Sequence, residues 1–155
     1  MSHDRCESLP TARDTWELGR RIAELVRRGD VIVLTGPLGA GKTVLAQGIG
    51  AGLGVHTGVV SPTFVLARMH PEGRLPLVHV DAYRLGGFAE LDDLDLDSDL
   101  ADSVTVIEWG EGVGDRLASG YLHVRLDRSA VDERRTAVLS GIGAGWPERL
   151  GELSR

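Results

Sequence analysis

Apolar positions along the chain switch between helical spacing and short unbroken runs. Leu18, Ile22, Leu25 and Val26 share one face of a helix expected from about Thr15 to Arg28, opened by Asp14 as N-cap with Glu17 as its capping-box partner. Gly29 suits the left-handed conformation that ends such a helix. Val31, Ile32, Val33 and Leu34 then run without polar interruption, as in a strand buried on both faces. The next periodic segment places Leu45, Ile49 and Leu53 on one face of a second helix. Its Gly48, Gly50 and Gly52 each cost up to about 1 kcal/mol of helix propensity, so this helix depends on packing against its neighbours.

Beyond Gly54 the pattern turns to strands. Phe64 to Met69, a polar Pro71-Glu72-Gly73-Arg74 turn and Leu75 to Val80 predict a hairpin that ends at Asp81. Asp92 to Asp102 is strongly acidic, with leucines at 91, 94, 96 and 100, and predicts one or two short helices on an acidic surface. Val104, Val106 and Ile107 form another apolar strand closing at Glu108, and Glu111 to Ala118 is a helix candidate. Tyr121 to Leu126 alternates as a half-exposed strand, Thr136 to Leu139 is a further strand, and Trp146 to Leu153 is a short terminal helix. No repeat, linker or low-complexity segment divides the chain, so residues 1–155 are expected to form one domain.

Charge and cysteine content narrow the setting. A formal charge of −6 argues against a bare nucleic-acid-binding module, DNA included, which would carry a basic face. A single cysteine, Cys6, forms no internal disulfide, which suits the cytoplasm. The opening MSHDRCESLP lacks an apolar run of signal-peptide length, and no window reaches membrane-spanning length, so no membrane role is expected. Of 17 basic residues only Lys42 is a lysine, the rest being arginine.

That lysine stands in Gly36-Pro37-Leu38-Gly39-Ala40-Gly41-Lys42-Thr43, a G-x-x-x-x-G-K-T Walker A motif between the buried strand and the second helix. A glycine-rich turn at a helix N-terminus aims backbone N–H groups at phosphate without side-chain obstruction. The nucleotide-binding segment is therefore Gly36, Pro37, Leu38, Gly39, Ala40, Gly41, Lys42, Thr43 and Val44. Lys42 is a compact charge for the β- and γ-phosphates, where a planar guanidinium fits poorly, and the Thr43 hydroxyl can ligate Mg²⁺. A second protein ligand would come from an acid at the end of a neighbouring strand. Asp81 and Glu108 both meet that description, and periodicity does not choose between them. Ser61-Pro62-Thr63-Phe64 lies where nucleotide switches place a hydroxyl that senses γ-phosphate, although a Ser-Pro turn opening a strand also accounts for it.

Taken together, GPLGAGKT at 36–43, SPTF at 61–64, DAYRL at 81–85 and EWGE at 108–111 resemble the TsaE (YjeE) family of small bacterial ATPases that serve tRNA threonylcarbamoyladenosine biosynthesis. The resemblance covers roughly residues 9 to 140. It implies that Thr43 and Glu108 bind Mg²⁺, that Asp81, Lys42 and Thr63 are the catalytic set, and that Trp109 lies beside the ATP. Basic residues near the C-terminal strand also approach the nucleotide in that family; here the region reads Asp132-Glu133-Arg134-Arg135-Thr136, without a residue-by-residue match. The resemblance further implies a weak ATPase that acts with TsaB and TsaD and meets tRNA only through that complex.

The expected fold is α/β, a P-loop NTPase-type three-layer arrangement with a mainly parallel central sheet and an added β-hairpin. A small-molecule kinase is the alternative enzyme and an ATP-switched, non-catalytic adaptor the alternative binding module. Asp93-x-Asp95-x-Asp97 is no calcium loop, because Ser98 and Val104 occupy the required glycine and glutamate positions. His3, His56, His70, His79 and His123 lack metal-ligand spacing.

Overall fold

The computed structural model describes residues 4–37, 40–55, 67–70, 73–81, 102–108, 120–129, 131–132, 134–143 and 145–153, with 67–70 and 81 described by backbone alone. Among these residues seven strands form one sheet: β1 (Arg5–Leu9), β2 (Val31–Thr35), β3 (Ala67–His70), β4 (Leu77–Asp81), β5 (Val104–Glu108), β6 (Tyr121–Arg128) and β7 (Arg135–Ile142), in the order β1-β7-β6-β2-β5-β4-β3. Among the described residues three helices accompany them: α1 (Ala12–Ala23), α2 (Lys42–Leu53) and α3 (Trp146–Leu150).

The sheet is mixed, which corrects the mainly parallel expectation. β2 runs parallel to β5 and β6, and β4 parallel to β5, whereas β1–β7, β6–β7 and β3–β4 are antiparallel. For the two sequence-adjacent pairs, β6–β7 and β3–β4, the cause is connection length. Residues 129–134 alone join β6 to β7, too short for a crossover, so the chain must return as a hairpin, closed by Ser129 N–H donating to the Arg134 carbonyl at 2.9 Å. The predicted hairpin is the β3–β4 pair, with Ala67 opposite Val80 and His70 opposite Leu77.

β2 and β5 are buried at every position, as their continuous apolar runs require of central parallel strands. One sheet face, carrying Ile32, Leu34, Val104, Val106, Leu122 and Val124, joins residues of α1, α2 and α3 in a single apolar cluster. The side chains of Val31, Val33, Val78, Val80 and Ile107 are buried outside that cluster. The third layer expected there is not among the described elements, and of the short helices expected over 92–102 and 111–118 all but Asp102 lie outside the described residues.

α1 begins three residues before its expected start. Thr11 is the N-cap, and its hydroxyl oxygen accepts from the Asp14 N–H while Asp14 accepts from the Thr11 N–H at 2.9 Å. Asp14 is thus the capping-box partner rather than the cap. The helix ends at Ala23, where Arg74 Nη2 donates to the Ala23 carbonyl at 2.8 Å. Gly29 is left-handed, with φ 86°, but it shapes the turn into β2. Arg149 of α3 anchors that turn: its guanidinium donates to both carboxylate oxygens of buried Asp30, at 2.6 and 3.0 Å, and lies 3.9 Å over the Trp146 ring.

α2 packs on α1 through glycine. A Cβ on Gly48 would fall on the Trp16 carbonyl oxygen, and one on Gly52 would lie 2.5 Å from Ala23 Cβ. Gly48 and Gly52, which weaken α2 as an isolated helix, are what let the two backbones approach.

Candidate functional site

β2, β5 and β4 finish level with one another. Glu108 pairs in register with Leu34 on one side and with Asp81 on the other. The chain leaves β2 at Thr35, whose hydroxyl lies 2.7 Å from His123 Nε2 on β6, and enters the glycine-rich loop. Ligands of open α/β sheets bind at such carboxyl ends, next to the strand-to-helix turn.

The loop needs glycine at two described positions. Gly36 has φ 144°, and a Cβ there would run into the Leu126 carbonyl oxygen. Gly41 has φ 103° and is the N-cap of α2, with no side chain capping the helix. The opening N–H groups of a helix have no intrahelical partners and carry the positive end of its dipole, so this end can receive an anion. Lys42 is buried, 5% exposed, and its ammonium curls back to donate to the carbonyls of Gly36 at 2.7 Å and Pro37 at 3.1 Å. Ala40 is buried and Val44 half-buried in the first turn. Leu38 and Gly39 lie outside the described residues.

The structure brings Thr43 and Glu108 together. The Thr43 hydroxyl, at the start of α2, donates to Glu108 Oε1 on β5 across 3.3 Å. This hydroxyl–carboxylate pair offers two oxygen donors beside an anion-binding helix terminus. A divalent cation that takes one or two protein oxygens and completes its shell from phosphate and water fits the set. Asp81 ends β4 beside Glu108 in register; its side chain lies outside the description, as do Thr63 and Trp109 altogether.

Two residues emerge that the expected site left out. Arg135, first residue of β7, runs past Gly41, with its Cδ and Nε 3.6 and 3.7 Å from where a Gly41 Cβ would stand. Motif matching could not single it out from adjacent Arg134, because only the pairing of β7 fixes which arginine faces the loop. His79 is fully buried on β4, and its Nε2 lies 2.5 Å from Glu108 Oε2. The available signal was a polar side chain inside the otherwise apolar run Leu77-Val78-His79-Val80.

A family model described as "Threonylcarbamoyl adenosine biosynthesis protein TsaE" matches residues 9–137. The chain is 54% identical over 136 residues to a Streptomyces coelicolor protein named tRNA threonylcarbamoyladenosine biosynthesis protein TsaE, covering 84% of this chain and 92% of that one. A Bacillus subtilis protein of the same name is 34% identical, over 92% of this chain and 89% of its own length. Among solved structures, Bacillus subtilis YdiB superposes with a TM-score of 0.81 at 28% identity, covering 100% of this chain and 97% of that one. Among the described residues, no helix is long and apolar enough to cross a membrane.

Proposed function

The chain belongs to the TsaE family of tRNA threonylcarbamoyladenosine biosynthesis proteins, and from that premise we propose that it is a P-loop ATPase, Mg²⁺-dependent and weak when alone, that serves a TsaB–TsaD pair in this modification. The supporting observation is the meeting of Thr43 and Glu108 at the N-terminus of α2, with the ammonium of adjacent Lys42 held on the Gly36 and Pro37 carbonyls of the loop. The protein works in the cytoplasm and reaches tRNA only through its partners.

In this reading Lys42 exchanges its two loop carbonyls for β- and γ-phosphate oxygens, and the opening N–H groups of α2 orient the triphosphate. Thr43 and Glu108 hold the metal, whose bound charge would offset that of the phosphates. Arg135 adds a cation along the flank of the loop, and Trp109 lies beside the nucleotide. Asp81, level with Glu108, positions the attacking water, and Thr63 senses the γ-phosphate. A well-placed arginine finger is worth about 10³–10⁵ in rate, and in this reading the partners supply it, so full turnover waits on them.

Recovery of TsaB and TsaD on the tagged wild type and on Lys42→Ala, each with and without ATP, tests the proposal. Both partners should come down only with wild type in ATP. Equal recovery in all four samples contradicts it.

A further inference from the structure

We propose that His79 makes the site selective for Mg²⁺ over Ca²⁺ by holding one oxygen of Glu108 away from the metal. The inference rests on the reading of Glu108 as a metal ligand and adds a role for a residue that does not itself touch the ion.

An imidazole with no exposed surface at all, inside a central strand, is costly unless its polar atoms are paired. His79 pairs one of its two ring nitrogens, Nε2, on the next strand, while Nδ1 is buried with no hydrogen-bond partner among the described residues. It stands opposite Val106 in register and reaches diagonally to Glu108, two residues further along β5. An ionised carboxylate only accepts, so Nε2 carries the hydrogen and Glu108 Oε2 receives it. The other oxygen, Oε1, receives the Thr43 hydroxyl. The carboxylate is therefore divided, with one oxygen committed to the core and one presented to the end of α2.

This division matters differently to two cations. Ca²⁺ takes six to eight oxygens in a flexible shell and often binds a carboxylate through both of its oxygens. Mg²⁺ demands a small octahedron and takes its few protein oxygens singly. With Oε2 held by a buried ring, Glu108 offers Oε1 alone, which suits Mg²⁺ and denies Ca²⁺ its two-oxygen mode. A partner of this kind typically changes metal affinity by about 10–100-fold when removed.

Calorimetric titration of the intact protein with a non-hydrolysable ATP analogue, in Mg²⁺, in Ca²⁺ and in EDTA, tests this on wild type, His79→Leu and His79→Gln. Wild type should bind the Mg²⁺ complex more tightly than the Ca²⁺ complex. His79→Leu should narrow that ratio by about tenfold or more, while His79→Gln, which keeps an N–H donor, restores most of it. Equal loss of affinity for both complexes in His79→Leu, or no change in the ratio, overturns the inference and leaves His79 a structural plug. Wild-type binding as tight in EDTA as in Mg²⁺ overturns the ligand role of Glu108 itself. Ring ¹⁵N–¹H correlation spectra of the histidine-labelled wild type need no variant to fold. The Nε2-protonated form of His79 should persist when the Mg²⁺–analogue complex binds, and loss of that hydrogen refutes the account.

Discussion

Replacing Gly48 by alanine sets two physical effects against each other. In an isolated helix the change gains about 0.8–1.0 kcal/mol, because alanine loses less backbone entropy. In the folded protein the new methyl would land on the Trp16 carbonyl oxygen, with Trp16 C and Cα 2.9 and 3.1 Å away. The obstacle is the backbone of α1, so no rotamer change relieves it and the helices must part. The same close approach runs along the seam on both sides, so parting the helices forfeits contacts there as well: a Cβ on Gly19 would lie 2.8 Å from the Ile49 nitrogen, and one on Gly52 would lie 2.9 Å from the Arg20 carbonyl oxygen. Overpacking costs about 1–3 kcal/mol, and a rigid obstacle places this case at the upper end. The net expectation is a destabilisation of about 2 kcal/mol, or a fall in Tm of about 4–8 °C for a chain of this length. Urea denaturation followed by circular dichroism should show a lower midpoint with an unchanged slope. A midpoint at or above that of wild type would mean that propensity outweighs packing, and that the close approach of α1 and α2 is wrong.

Lys42→Met tests whether the buried ammonium is a brace or a ligand. Losing two charge-assisted hydrogen bonds is roughly matched by relief of ammonium desolvation, so stability without nucleotide should stay within about 1 kcal/mol, while ATP affinity falls by roughly 100-fold. A large stability loss with unchanged affinity would identify a brace. For the Asp30–Arg149 pair, Arg149→Met should cost about 3–5 kcal/mol by leaving a buried carboxylate unpaired, and Asp30→Asn combined with it should recover much of that loss in denaturant titration. Additive losses would show that the two side chains act separately.

Much of this site was legible in the sequence because its chemistry is local. The residues from Gly36 to Thr43 are contiguous, and the apolar runs ending at Asp81 and Glu108 announced two carboxylates at strand ends. The lateral arrangement was harder to read. That Asp81 and Glu108 lie side by side follows from β4 and β5 being neighbours, which no local pattern states. β1 was missed because Arg-Cys-Glu-Ser-Leu has neither alternation nor an apolar run; antiparallel pairing with β7 and the packing of Leu9 make it a strand. The antiparallel half of the sheet could have been inferred from the shortness of the β6–β7 connection, a signal the hydrophobic pattern does not carry. His79 escaped notice because a search for metal-ligand spacing examines residues that would touch the ion themselves, and this one touches Glu108, the carboxylate proposed to do so.

The account depends on a nucleotide phosphate at the start of α2 with a cation held between Thr43 and Glu108. Titration calorimetry with ATP, in Mg²⁺ and in EDTA, on wild type and Glu108→Gln tests it most directly. Wild type should gain about tenfold or more in affinity from Mg²⁺, and Glu108→Gln should lose that gain while binding ATP in EDTA as wild type does. No heat with millimolar ATP, or an equal gain from Mg²⁺ in both proteins, would contradict it.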